Sequence, residues 1–310
     1  MKTKVGVLTG GSSIEREVSL WSGNAVLEHL DRNKYDVTVY EIPPDKDLAW
    51  VRKIVDNPPD IIVSALHGGI GENGAIQGFL DVLGIPYIGS KTLSSAVCMD
   101  KAFAKMVMRS NHIPVIDGVF MRKNEDMQDF EDKITELGFP LIVKPNSGGS
   151  SIGISVANDF DELEKSIDIV KSYNDDVLME KYIHGNEITC GLIETENGLS
   201  VLTLLDISTE NQFSNFKDKY EDSYDLVKFS AMPEYLQTMI KEIAKKVFTC
   251  LNCHGYGRVD MIVCEEQVYV LEMNTLPGLT SHSLVPMAIS KDSTFGELLD
   301  KLISYERGRK

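Results

Sequence analysis

Basic runs are nearly missing from this sequence: beyond the tail Arg307-Gly308-Arg309-Lys310 there is no sustained cluster of lysine and arginine. With 31 basic against 47 acidic residues the formal charge is −16. That balance argues against nucleic acid or an anionic membrane as the main partner. A phosphate-bearing ligand would have to be held by a few placed lysines, by backbone N–H groups and by metal. Long apolar runs are lacking too, since no window approaches the ~18 residues of a membrane span. The apolar stretch after Met1 breaks at Gly10-Gly11, too soon for a signal peptide. Five cysteines, an odd number scattered along the chain, make no disulfide framework. The expectation is a soluble, cytoplasmic protein.

What is present is a chain of 310 residues, 43% hydrophobic, long enough to bury a sizeable core in two or three packed units. Short apolar strands alternate with helices through the first third: Val5–Thr9, Val37–Ile42, Ile61–Leu66 and Pro86–Ile88, separated by helices at Ser22–Leu30, Leu48–Val55 and Ala75–Leu83. That order implies right-handed βαβ units and an α/β fold with a parallel sheet. Ligands in such sheets bind beyond the carboxyl ends of the strands. Two glycine-rich loops fall there, Gly10–Glu15 and His67–Gly74.

The middle third carries a helix at Lys101–Ser110, a strand at Leu141–Lys144, a loop through Gly153, and a capping box Asp159–Glu162 opening a helix to Ser172. A strand at Val177–Tyr182 closes it. Strands at Glu187–Ile193 and Val201–Ile207 follow, then a polar stretch, Ser208–Ser223, without clear periodicity. The units expected are 1–91, 92–183 and 184–310.

From Pro233 a helix shows apolar residues at Leu236, Ile240, Ile243, Val247 and Leu251. It runs into Cys250-Leu251-Asn252-Cys253-His254, the literal C-x-x-C-H string of covalent haem attachment. Cys250 continues the apolar helix face, however, and a lone C-x-x-C lacks the second pair of a structural zinc site. The string reads as the end of a packed helix, stopped near Gly255 and Gly257.

The next residues carry the chemistry. A period of two puts Arg258, Asp260 and Ile262 on one strand face, and Glu272 and Asn274 on a face with Val268 and Val270. If the turn is the three residues Glu265–Gln267, Asp260 lies opposite Glu272 and Arg258 opposite Asn274; a two-residue turn would break this register. Oxygen ligands of this kind suit Mg²⁺, which takes the rest of its coordination from water and phosphates. A solvated hairpin face with a fortuitous acidic pair is the competing reading. The following segment, Thr275–Ser283, with its hydroxyls and backbone N–H groups, favours the metal face.

Ordered markers extend along the whole chain: Gly10–Glu15 with Val18-Ser19, Leu66-His67-Gly68 with Gly71–Gly74, and Met99-Asp100-Lys101. Then come Val143-Lys144-Pro145 with Gly149–Gly153, Glu180–Ile183 with Gly185 and Glu187, and Gly257–Asp260 with Glu272, Asn274-Thr275, Pro277-Gly278 and Thr280–Ser283. Each string alone is weak, but the set in this order resembles the D-alanine–D-alanine ligases of the ATP-grasp superfamily. The resemblance implies an ATP-grasp fold, with an N-terminal parallel-sheet domain and two ATP-grasp subdomains. It implies ligation of two D-alanines through an acyl phosphate with release of ADP and phosphate, in peptidoglycan precursor synthesis.

On this resemblance, Lys101 and Lys144 hold the nucleotide phosphates, and Ser147, Gly148, Gly149, Ser150 and Ser151 belong to the loop that closes over them. Glu180, Lys181, Tyr182 and Ile183 border the adenine, and Glu187 accepts from the ribose. Asp260, Glu272 and Asn274 hold two Mg²⁺ ions, with Mn²⁺ as a substitute. Arg258 and the Gly278 N–H form the oxyanion site. Glu15 binds the first D-alanine's ammonium with His67 nearby, while Ser283 and Leu284 help Arg258 hold the second D-alanine. Lys219 reaches the γ-phosphate, and Tyr220 closes on Glu15 and Ser150 and favours D-alanine over D-lactate. A homodimer is implied, with neither nucleic acid nor membrane as partner. The chain departs from the family pattern at Phe213-Ser214-Asn215-Phe216 and at Gly69-Ile70. Another ATP-grasp ligase, a nucleotide-binding module without catalysis and a dinucleotide oxidoreductase are the alternatives. Gly10-Gly11-Ser12 lacks the G-x-G-x-x-G spacing of the last.

Overall fold

The computed structural model describes residues 1–45, 47–149, 152–207, 227–280, 283–289 and 293–309. The first third builds β1 (Thr3–Gly10), α1 (Arg16–His29), β2 (Tyr35–Ile42), α2 (Ala49–Asp56), β3 (Ile61–Ser64) and α3 (Ala75–Leu83). Its sheet has the order β2-β1-β3, and both pairings are parallel. Strands β1 and β3 are mostly apolar and are buried along their length after the first residues of β1, as a sheet covered on two faces requires. The predicted strand at Pro86–Ile88 is reduced to a single parallel bridge between Ile62 and Tyr87. Helix α1 begins at Arg16, earlier than the periodicity suggests. Its Gly23 packs so closely on β1 that a Cβ there would lie 2.5 Å from Thr9 Oγ1.

Next come α4 (Thr92–Met99), α5 (Lys101–Ser110), β4 (Gly118–Met121), α6 (Glu131–Leu137), β5 (Leu141–Pro145), β6 (Ser155–Ala157), α7 (Phe160–Ser172) and β7 (Val177–Lys181). These four strands form an antiparallel sheet in the order β4-β7-β5-β6. Asp159 caps α7 by accepting from the Glu162 N–H. Glu162 itself turns to the Asn158 backbone and side-chain N–H groups at 2.9 and 2.8 Å, so the predicted box forms only by half. Apolar residues of α6 and α7 close the core beneath this sheet.

The last third contains β8 (Asn186–Thr195), β9 (Gly198–Val201), β10 (Leu205–Ile207), β11 (Val227–Phe229), α8 (Glu234–Cys250), β12 (Tyr256–Cys264), β13 (Gln267–Asn274), α9 (Leu284–Ile289) and α10 (Phe295–Gly308). Its sheet has the order β11-β10-β8-β12-β13, with β9 also on β8. The expected single strand Val201–Ile207 is divided, because β9 pairs with the end of β8 and β10 with its beginning. The tail returns to the N-terminal sheet: Leu298, Leu299, Leu302 and Ile303 share a core with Val5, Leu8 and Ile62. Among the described residues no helix is long and apolar enough to cross a membrane.

The hairpin β12–β13 corrects the predicted route to its register. Cys264 pairs with Gln267, so the turn has two residues, Glu265 and Glu266, both with positive φ. A β-bulge past Asp260/Met261 then absorbs Leu271, and the ladder resumes with Asp260 opposite Glu272 and Arg258 opposite Asn274. The pairing is the one expected, reached by turn plus bulge rather than by a longer turn. The bulge also changes the face: Val268 and Val270 lie in the core, away from Glu272 and Asn274.

Candidate active site

Parallel strands β1 and β3 end on the same side of their sheet, and this brings the two glycine loops together. Ser13 Oγ donates to the His67 carbonyl at 2.6 Å and accepts from the Glu15 N–H at 3.2 Å. His67 is buried; its Nε2 lies 2.9 Å from Ser22 Oγ and its Nδ1 3.4 Å from Glu72. Ser22 Oγ also accepts the Leu279 N–H at 3.4 Å, tying α1 to the segment after Gly278. The Glu15 carboxylate reaches the central loop, since a Cβ on Gly149 would lie 3.5 Å from its Oε2.

That loop is anchored at both sides of Ser147. Its N–H donates to the Asp175 carboxylate at 3.1 Å, and the Gly148 carbonyl accepts from Lys101 Nζ. Lys101, at the start of α5, also lies 3.4 Å from Glu272. Lys144 on β5 forms an ion pair with Glu180 on β7 at 2.6 Å, and the other Glu180 oxygen pairs with Lys105. All three side chains are buried. Burial opposes charge on Glu180, yet the two ammonium groups outweigh it and lower its pKa. Burial likewise opposes charge on Lys144, but Glu180 prevails and raises its pKa. For Lys105 burial prevails and its pKa falls to about 8. Glu187 pairs with Ile262 across the sheet, and its charge also acts on Lys144. Beside the β7–β8 connection, a cavity of about 680 Å³ is lined by Lys181, Tyr182, Ile183, Asn186 and Tyr269.

On the facing hairpin, Arg258 clamps Asp260 through Nε and Nη2 at 2.8 and 2.7 Å. Thr189 Oγ1 and Asn274 Nδ2 complete the carboxylate's partners at 2.6 and 2.9 Å. Asp260 thereby fixes the guanidinium in one plane. Gly278 packs closely on Ser283, since a Cβ there would lie 2.5 Å from Ser283 Oγ. Ser283 Oγ is turned to Thr280, accepting its N–H at 3.1 Å, and Leu284 opens α9 half-buried.

Among the described residues no three His, Cys, Asp or Glu side chains converge into a metal cage. The oxygen set here is two carboxylates and an amide on one sheet face, Asp260, Glu272 and Asn274. It fits Mg²⁺, which binds through one or two carboxylates and shares phosphate oxygens.

The structure thus gathers Glu15, Gly149, Lys101, Lys144, Glu180, Arg258, Asp260, Glu272 and Asn274 into one region. Ser150, Ser151, Lys219 and Tyr220 lie outside the described residues, as do the departures at 213–216. Sequence reasoning missed Lys105, Thr189 and Ser22. Lys105 had a signal, for it follows Lys101 by four residues on one helix face; the other two are polar positions among apolar ones, visible only through their partners. The haem-like string lies at the end of a packed helix: α8 ends at Cys250, and Cys253 is buried with its sulfur 3.9 Å from that of Cys98.

Family models described as the D-ala D-ala ligase N-terminus and C-terminus match residues 4–57 with 51–90, and 107–304. A D-alanine--D-alanine ligase of Bacillus anthracis (strain CDC 684 / NRRL 3495) is 38% identical over 301 residues, covering 97% of this chain and 96% of its own. The crystal structure of a Bacillus anthracis D-alanine--D-alanine ligase complexed with ATP superposes with a TM-score of 0.85 at 35% identity, over 98% of this chain and 97% of that one. The VanG D-Ala:D-Ser ligase of Enterococcus faecalis gives 0.84 at 28% identity, over 99% and 100%. With models of both halves of the family spanning the fold and a relative 38% identical over 97% of this sequence, the chain belongs to the D-alanine–D-alanine ligase family.

Proposed function

We propose that this protein joins two D-alanines to D-alanyl-D-alanine at the expense of ATP, supplying a peptidoglycan precursor. The observation that carries the proposal is the convergence of three elements. The Glu15 carboxylate reaches the central loop at Gly149, Lys101 and the buried Lys144 stand beside it, and the Arg258–Asp260–Glu272–Asn274 face carries the oxygens.

Lys101 and Lys144 bind the phosphates as compact charges. Glu180 to Ile183 border the adenine, and Glu187 accepts from the ribose. Glu15 takes the ammonium of the first D-alanine, whose carboxylate attacks the γ-phosphoryl group to form the acyl phosphate and ADP. Arg258, held flat by Asp260, and the Gly278 N–H stabilise the oxyanion as the second amine attacks that carbonyl and phosphate leaves. Ser283 and Leu284 help hold the second D-alanine. Two Mg²⁺ ions bound by Asp260, Glu272 and Asn274 would neutralise charge on the β- and γ-phosphates. The same reading gives Ser150 and Ser151 to the phosphate loop, Lys219 to the γ-phosphate and Tyr220 to discrimination against D-lactate. It assigns the work to three units, 1–91, 92–183 and 184–310, in a cytoplasmic homodimer.

A second reading, with D-serine as the second substrate, draws on the likeness to a D-Ala:D-Ser ligase. One experiment separates these readings: phosphate release from ATP and Mg²⁺ with D-alanine alone, then with D-serine or D-lactate added, and the product identified by mass. D-Alanyl-D-alanine is expected as the main product in every mixture. Absence of phosphate release with D-alanine would overturn the ligase reading, and a dominant mixed product would favour the second.

A further inference from the structure

Lys105 has no part in the reaction as just described, yet it is among the most buried charges of the molecule. Lys105, Lys144 and Glu180 are 4%, 7% and 1% exposed, and each lysine holds a different oxygen of the one carboxylate. We propose that Lys105 is a positioning residue of the nucleotide site, keeping Glu180 paired while Lys144 turns to the phosphates of a nucleoside triphosphate. The inference rests on the ligase reading, in which Lys144 is a phosphate ligand.

Counterions govern this exchange. Lys144 is bound at 2.6 Å to a carboxylate that has almost no access to water. If Lys144 were its sole partner, transferring that ammonium to a phosphate would strand a buried anion, which is strongly unfavourable. A nucleotide would then compete against the protein's own ion pair for its ligand. A second cation on the far oxygen changes the exchange. Glu180 keeps Lys105, and Lys144 is released without leaving an unpaired charge.

The arrangement also exceeds what anchoring α5 to the central sheet needs. One lysine would neutralise Glu180, and the second leaves a local excess of positive charge suited to polyphosphate. The next carboxylate acting on both lysines is Glu272, which the proposed Mg²⁺ would engage. Lys105 and Lys101 lie one turn apart on α5. The same helix thus carries a direct phosphate ligand and the group that releases a second one.

The test is ATP affinity by calorimetry in the full chain for Lys105→Met, Glu180→Gln and the double variant, with kcat and the KM for ATP measured alongside. Lys105→Met is expected to bind ATP about tenfold more weakly, with KM rising and kcat moving less, because Lys144 stays locked on Glu180. Its melting temperature without nucleotide should hold, since a one-to-one ion pair remains. In the double variant there is no carboxylate to strand, and ATP affinity should return to within about threefold of Glu180→Gln. An anchoring role alone would not yield that recovery. Unchanged ATP binding in Lys105→Met, or a double variant as weak as Lys105→Met, would overturn the proposal. If Lys105→Met fails to fold, the double variant against Glu180→Gln decides: equal affinity supports the proposal, and a tenfold loss overturns it. Lys144→Met separates the two levels. If it binds ATP as the wild type does, the phosphate role of Lys144 fails, whereas if it loses ATP while Lys105→Met does not, only the inference about Lys105 fails.

Discussion

The N-terminal parallel sheet and the C-terminal antiparallel hairpin both present functional groups, but by opposite means. In β1 and β3 the strand side chains are mostly apolar and buried and none of the buried ones is charged, and the polar groups Ser13, Glu15 and His67 stand in the loops beyond the strand ends. In β12 and β13 the strands themselves carry Arg258, Asp260, Glu272 and Asn274, backed by Val259, Met261, Val270 and Met273 in the core. A sheet covered on both faces has nowhere to put a charge except its ends, whereas an antiparallel sheet with one core face can offer the other to a ligand. The strand-borne groups are therefore aimed by register, and the loop-borne groups by a few hydrogen bonds.

The largest effect should come from the hairpin. Arg258→Ala removes the donor that Asp260 holds in place and is expected to lower dipeptide synthesis by at least ~10²–10³-fold. ATP should still bind, as calorimetry would register; near-normal synthesis would break the assignment of a rigid, strand-borne oxyanion donor.

A smaller effect is expected from the loops. Ser13→Ala deletes the bonds to the His67 carbonyl and the Glu15 N–H. At ~0.5–1.5 kcal/mol for each, the KM for D-alanine should rise roughly tenfold, with kcat less affected. If Ser13→Ala matched Arg258→Ala in its loss of rate, the contrast between the two regions would collapse.

The smallest effect should fall outside both. Thr294 caps α10 in a full capping box with Glu297, on an exposed turn. Thr294→Ala should cost about 1 kcal/mol in denaturant unfolding and leave the kinetic constants alone. A change in kcat there would mean that α10, which packs against the N-terminal sheet, also controls the geometry of the site.

Much of this organisation was legible before folding. Alternating strands and helices announced the parallel sheet, and the period of two announced the polar face of β12. The route to the Asp260–Glu272 pairing was not legible. Its two-residue turn and the extra residue Leu271 compensate each other, and side-chain pattern alone cannot separate that combination from a three-residue turn. The same bulge sends Val268 and Val270 into the core, against the simple alternation. Lys105 was half legible, one turn from Lys101, but the decisive fact is a carboxylate 75 residues further along the chain.

By itself the sequence determined the kind of chemistry this protein can do. It has too few clustered cations to bind polyanions by bulk charge, so phosphate must meet placed lysines, and its carboxylates and amide recur at the spacing that puts them on one strand face. Tertiary structure alone decided how those charges are partnered. Glu180 took two lysines from different elements, Asp260 took Arg258, Thr189 and Asn274, and Glu15 came to rest beside Gly149. The physical reason is that strand and helix periodicities are local, whereas the pairing of a buried charge depends on which distant group the fold brings within reach.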